Sequence, residues 1–287
     1  EVQMISRILF AAGLVMLSGV PMSVSAQDSE AKRNLTQVTD DIWRFDNNFH
    51  VSFAVVTDEG IVVGDPINAA AAEWLKSELA ERFDRPVTHM IYSHHHGDHT
   101  SGGQVFAETA RIFAHESFEE LATAAGADTA MPTDTFDESM DVQVGGKTFE
   151  MRHLGSGGHS DDLIATVIRP DNVAFVVDVV SPKRLPWQQI NTPSLEGLDS
   201  QIAAVEALDF DILLPGHSGN GTKADATAAR QYLADLKSYV DAQLAAGKTP
   251  GEIQAGAADA MADYAEWGMF GNMLEANVTG MIRLASQ

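Results

Sequence analysis

The 287-residue chain carries 41 acidic against 18 basic side chains, a formal net charge of −23, and no cysteine. A hydrophobic content of 45% supports a sizeable core and excludes a disordered chain, while the charge repels phosphate backbones and anionic lipid and so excludes nucleic acid as a partner. Without cysteine there is no disulfide framework, no thiolate ligand and no lipidated anchor, so any metal is held by His and carboxylate.

Residues 1–26 read as an export signal: Arg7 is the positive start, Ile8 to Val20 the apolar stretch, and Val24-Ser25-Ala26 a small-residue cleavage site. The mature chain is then expected to start at Gln27, to be periplasmic or secreted, and to form one domain over 27–287 with a C-terminal helical extension. Glu1 and Arg7 cancel, so its net charge stays at −23. No later run is long and apolar enough to span a bilayer, and no stable membrane anchoring is expected.

After a polar leader (Gln27 to Thr39), strands are predicted at Ile42 to Phe45, Val51 to Thr57 and Gly60 to Gly64, the last two joined as a hairpin across Asp58-Glu59-Gly60. Ala69 to Phe83 has helical spacing with Trp74, Leu75 and Leu79 on the core face. A buried strand over Val87 to Tyr92 follows, then a helix starting within Gly102 to Thr109, a strand at Arg111 to Ala114 and a helix at Glu116 to Ala125. Gly126 to Asp137 reads as a polar connection. Hairpins are predicted for Val142 to Val144 with Thr148 to Leu154, and for Leu163 to Ile168 with Val173 to Val177. Ser181 to Ser194, with three prolines, is an irregular loop or lid. A helix at Leu195 to Leu208, a strand at Asp211 to Leu214 and two Ala-rich helical stretches, Lys223 to Ala246 and Pro250 to Gln287, complete the chain. Two strand-rich halves, each followed by helices, predict an α/β (α+β) fold: a four-layer αββα sandwich with helices outside two packed sheets.

Chemistry concentrates where strands end. Ser93-His94-His95-His96-Gly97-Asp98-His99 follows one buried strand; His159 follows a Gly-rich turn; Asp178 ends an apolar run; His217 follows Leu213-Leu214-Pro215-Gly216. His94 and His96, two apart on an extended segment, point to the same side. Gly97 is expected to turn the chain at positive φ so that Asp98 and His99 reach a second ion. Imidazole with carboxylate suits a redox-inert divalent cation such as zinc. His95 points away from this set, and His89 and His153 read as core or edge residues. No serine with triad-like surroundings is evident.

This pattern, His94-x-His96-x-Asp98-His99, then Gly-His159-Ser, then Asp178, then Pro-Gly-His217, resembles the metallo-β-lactamase superfamily. The resemblance implies two zinc ions per chain: His94, His96 and His159 on one, Asp98, His99 and His217 on the other, and Asp178 bridging. It implies a metal-dependent hydrolase in which a metal-bound hydroxide attacks the carbonyl of a small ester, thioester, lactone or lactam, with Asp98 orienting it as the catalytic carboxylate. Lactamase subclasses generally carry Cys or Ser where Asp178 stands, so the Asp points toward lactonases, glyoxalase-II-like thioesterases, ribonucleases and phosphodiesterases of this fold. The acidic surface and the export signal disfavour the nucleases, and a β-lactamase proper is the alternative. Iron-dependent persulfide oxidation and a non-catalytic zinc protein are the readings of another class. On the substrate side, Lys183 and Arg184 offer positive charge for a small-molecule carboxylate. His50 flanks the cleft, and Phe49, Trp187 and Trp267 offer an apolar wall.

Overall fold

A computed structural model describes residues 31–286. The export signal expected over 1–26 lies outside the described residues. The chain runs through β1 (Arg33–Gln37), β2 (Ile42–Asn47), β3 (His50–Thr57), β4 (Gly60–Val63), α1 (Ala69–Phe83), β5 (Val87–Ile91), α2 (Gly97–Thr100), β6 (Arg111–His115), α3 (Phe118–Ala125) and β7 (Asp134–Phe136). It continues through β8 (Ser139–Val144), β9 (Lys147–His153), β10 (Ile164–Arg169), β11 (Val173–Val176), α4 (Leu195–Ala207), β12 (Ile212–Pro215), α5 (Lys223–Ala245), α6 (Pro250–Ala260) and α7 (Phe270–Ala285).

The strands form a seven-stranded sheet in the order β1-β2-β3-β4-β5-β6-β7 and a five-stranded sheet in the order β12-β11-β10-β9-β8. The pairs β4-β5, β5-β6 and β6-β7 are parallel, so their connections must cross over. α1 makes the first crossing, started by the Asn68 side chain accepting from Ala71 N–H at 2.9 Å. Its Leu75 and Leu79 are fully buried, and Trp74 stacks on Phe45. Phe53 meets Phe175 edge-on between the sheets, within a core shared by Ile42, Ile91, Phe149 and Ile164. A second core lies between the first sheet and α1, and a third between the second sheet and helices α4 to α7. This is the αββα sandwich.

Four predicted elements differ. The polar leader contains β1, an edge strand that buries only Leu35 and is held by pairing with β2. The polar connection contains β7, which buries only Phe136. The helix expected from Gly102 is a single 3₁₀ turn, Gly103–Val105, because Gly102 sits at φ 89° against the backbone of Asn68 and Ala69. The last helical stretch is broken into α6 and α7 by a turn through Met269, which stands at φ 67°. Among the described residues, no helix is long and apolar enough to cross a membrane.

Candidate metal centre

The seven ligand candidates meet at the strand ends. β5 leads into the segment with His94 and His96, and α2 carries Asp98 and His99. The turn between β9 and β10 carries His159, while β11 and β12 lead into Asp178 and His217. Gly97 does not take a left-handed turn as expected; the chain swings from one group of ligands to the other through the single helical turn of α2. Asp178 does stand at φ 65°, a conformation that costs a non-glycine residue about 1–3 kcal/mol and gathers at functional sites. Gly216 leaves room beside it, since a Cβ there would lie 2.7 Å from Val177 and 3.2 Å from the His99 ring.

Two groups of ligand atoms converge. In the first, His159 Nε2 lies 3.3 Å from His94 Nε2, 3.0 Å from His96 Nδ1 and 3.0 Å from Asp178 Oδ2. In the second, His99 Nε2 lies 3.2 Å from His217 Nε2 and 3.4 Å from Asp178 Oδ2, and His217 Nε2 lies 2.9 Å from Asp178 Oδ1. Asp178 thus belongs to both groups. Asp98 Oδ2 flanks the second, 3.7 Å from His99 and 3.9 Å from His217, and 3.4 Å from His50 Nε2.

Neighbouring contacts orient these rings. Ser93 Oγ donates to Asp65 Oδ2 at 2.6 Å, so it accepts from His94 Nδ1 at 3.0 Å and leaves the His94 Nε2 lone pair facing the cluster. His217 Nδ1 donates to the Phe49 carbonyl at 3.2 Å, which likewise leaves a lone pair on Nε2. His217 Nε2 and the buried Asp178 Oδ1 are then two acceptors facing each other, and Oδ1 has no hydrogen-bond donor. Acceptors aimed at acceptors call for a cation between them. Tetrahedral zinc with bonds of about 2.0–2.1 Å would hold its ligand atoms roughly 3.3–3.4 Å apart, close to these separations. The residues fit a metal.

Electrostatics prepare His94 and His96 for ligation and charge the two carboxylates, while His99 holds a proton that a metal would displace. Burial, followed by the charge of His99, pushes His94 well below the usual imidazole range. Burial and the neighbouring His159 lower His96 to about 4, so both are neutral, the form that ligates. Burial works against charge on Asp178, but the His99 charge and the His159 contact outweigh it and hold the carboxyl well below its usual range. Burial also opposes charge on Asp98, yet the His50 hydrogen bond and His99 bring it down to about 2. Burial opposes charge on His99 too; Asp178 and Asp65 overcome it and raise that imidazole well above its usual value.

Three supporting residues escaped the sequence reading. Asp65 is fully buried, accepts from Ser93 N–H at 2.8 Å and lies 3.2 Å from His99 Nδ1. It follows a buried strand and a glycine, the same arrangement that marked the ligands. Gln201 on α4 clamps the His159 turn, accepting from His159 N–H and donating to the Gly155 and Ser160 carbonyls. Asp162, also buried, takes His95 Nδ1 at 2.9 Å, so His95 indeed turns away from the ligand groups.

A cavity of about 570 Å³ opens over the cluster, lined by His96, Asp98, His159, Asp178 and His217 and by His50, Arg184, Phe49, Trp187 and Trp267. Arg184 is half-buried, donates to the His217 carbonyl at 2.9 Å and makes no ion pair among the described residues. Lys183 does not line the cavity; its carbonyl accepts from Gly268 N–H at 2.8 Å, and the substrate-facing pair reduces to Arg184.

The family model described as the metallo-beta-lactamase superfamily matches residues 48–217. The chain belongs to this superfamily. Homologues in it are metal-dependent hydrolases. Among its relatives is the 2,4-dinitroanisole O-demethylase subunit alpha of Nocardioides sp. (strain JS1661), 27% identical over 219 residues, which are 71% of this chain and 62% of that protein. Another is a metallo-beta-lactamase type 2 of Bacteroides fragilis, 26% identical over 169 residues, 54% of this chain and 67% of the relative. The chain thus spans less than two thirds of the demethylase subunit's own length. The fold is that of a metallo-beta-lactamase from Pontibacter korlensis (TM-score 0.61, 20% identity, 70% of this chain and 99% of the other). It is shared with one from Hirschia baltica (TM-score 0.60, 17% identity, 69% and 96%).

Proposed function

We propose that the protein is a dinuclear zinc hydrolase acting on a small ester, thioester, lactone or lactam. The observation that carries this reading is Asp178, shared between two groups of imidazoles whose free nitrogens converge. His94, His96 and His159 would hold one ion and His99, His217 and Asp98 the other, with Asp178 between them. Such a pair polarises a carbonyl and acidifies water to a pKa of about 7.

The chain's own residues do the rest. Asp98, ionised throughout the neutral range and steadied by His50 Nε2, accepts hydrogen bonds and aims the attacking water at the scissile bond. Ser93 and the Phe49 carbonyl fix the tautomers of His94 and His217, so neither of these two rings must rearrange its proton before binding. Arg184 supplies positive charge for an acidic group on the substrate, and the exposed Trp187 and Phe49 stand at the mouth. Aspartate at position 178, rather than Cys or Ser, favours ester, thioester and lactone substrates over β-lactams.

Elemental analysis paired with a panel of lactone, thioester and β-lactam reporters tests the reading. About two zincs per chain with one class hydrolysed is the expected result. One iron per chain, or full activity in metal-free protein, overturns it. The reading includes export to the periplasm or beyond, with cleavage after Ala26; N-terminal sequencing of the mature protein is expected to begin at Gln27.

A further inference from the structure

The cavity has a second end that the ligand cluster does not use. Besides the imidazoles its lining includes Ala229, Tyr232 and Leu233 of α5 and Trp267 ahead of α7. All four lie beyond residue 217, where the family match ends. Tyr232 and Trp267 stack with centroids 5.9 Å apart, and Tyr264 meets both edge-on at 5.0 and 4.9 Å. Trp187 lines the same cavity. Among the described residues only three large apolar side chains are strongly exposed, and two of them, Phe49 and Trp187, stand on this cavity. Apolar surface left open on so acidic a chain is a recognition surface more often than an accident.

The wall is also preformed. Asn277 of α7 is fully buried, donates to the Pro186 and Gln188 carbonyls at 2.9 and 2.6 Å, and accepts from the Tyr232 hydroxyl at 2.7 Å. Arg283 adds a hydrogen bond to the Thr192 carbonyl at 3.2 Å. The Ser181 to Ser194 segment is therefore tied to α5 and α7, and the backbone on either side of Trp187 is held by Asn277. A cavity of about 570 Å³ falls within the usual ligand-site range of ~300–1,000 Å³. It is far larger than an acetyl group needs.

We infer that the substrate carries an aromatic body of one to two rings beside the bond that is cut, and that the helices beyond residue 217 read it. This rests on the hydrolase reading for the bond but not for the binding. The test is calorimetric binding of acetate, octanoate and 4-phenylbutyrate to the zinc-loaded full chain, its Ala229→Phe variant and its Trp187→Ala variant. All three probes carry one carboxylate, so their differences report the apolar body alone. The expected result is 4-phenylbutyrate bound at least tenfold tighter than acetate and tighter than octanoate, with that advantage cut at least tenfold by Ala229→Phe. Trp187→Ala, at a half-exposed position where misfolding is not at issue, is expected to cost severalfold. Equal affinity for acetate and 4-phenylbutyrate overturns the inference, as does preference for octanoate or an advantage untouched by both substitutions. If no ester, thioester, lactone or β-lactam reporter turns over while 4-phenylbutyrate binds as described, the hydrolase reading fails and the aromatic subsite stands.

Discussion

At one end of the cavity six imidazoles and two carboxylates converge on short loops at strand ends; at the other, aromatic rings from helices pack around open space. The first end is positioned by backbone pairing within the two sheets. The second is positioned by side chains reaching across long sequence separations, as when Asn277 grips the carbonyls of Pro186 and Gln188. The contrast divides chemistry from selection. The sheets can hold a reactive centre without deciding what it acts on.

Substitutions that hit one end and spare the other break this division most sharply. Asp178→Ala removes the carboxylate common to both ligand groups, and we expect activity to fall by more than about a thousandfold, as does chelation of the metal. Zinc stoichiometry should drop in parallel while 4-phenylbutyrate binding persists; loss of both together would show that the two ends are one unit. Asp65→Asn acts at one remove: it weakens the support of Ser93 and His99, and metal affinity should fall about 10- to 100-fold in a competitive chelator titration.

Asn277→Ala tests the other end. It strands two carbonyls and a tyrosine hydroxyl in the core, which should cost about 1–3 kcal/mol in urea unfolding. KM for aryl substrates should rise with zinc content unchanged. The smallest effect belongs to His115, which touches neither end. Burial and the stacked His153 ring 3.9 Å away hold its imidazole below the usual value. The unfolded chain then takes up this proton first, so the stability present above about pH 6.5 is lost as the pH falls toward the folded-state value. Urea midpoints at about pH 7 and pH 5.5 should show a smaller loss for His115→Gln than for the wild-type chain.

The two ends also differed in how plainly the sequence announced them. The ligands stood out because His or Asp at the end of an apolar run, after a sharp turn, has few structural reasons to be there. Asp65 obeys the same grammar in Ile61-Val62-Val63-Gly64-Asp65, and went unread because no histidine accompanies it. The central strands were legible from their apolar runs, whereas β1 and β7 bury one side chain each and exist through pairing with a neighbour. Phe49, Trp187 and Trp267 were recognisable as an apolar wall. Asn277 and Gln201 were not, since a polar residue on a helix gives no sign of which distant carbonyl it will meet.

The grip of Asn277 has a consequence for how such a protein changes over generations. Asn277 lies 91 and 89 positions from the two carbonyls it holds, and, like the other residues of the far wall on α5 and ahead of α7, after the last metal-ligand candidate, His217. Drift in the final helices can therefore retarget the protein toward a new compound while the reactive centre is inherited intact. A laboratory library confined to residues 229–283 would sample specificities without spending variants on dead centres.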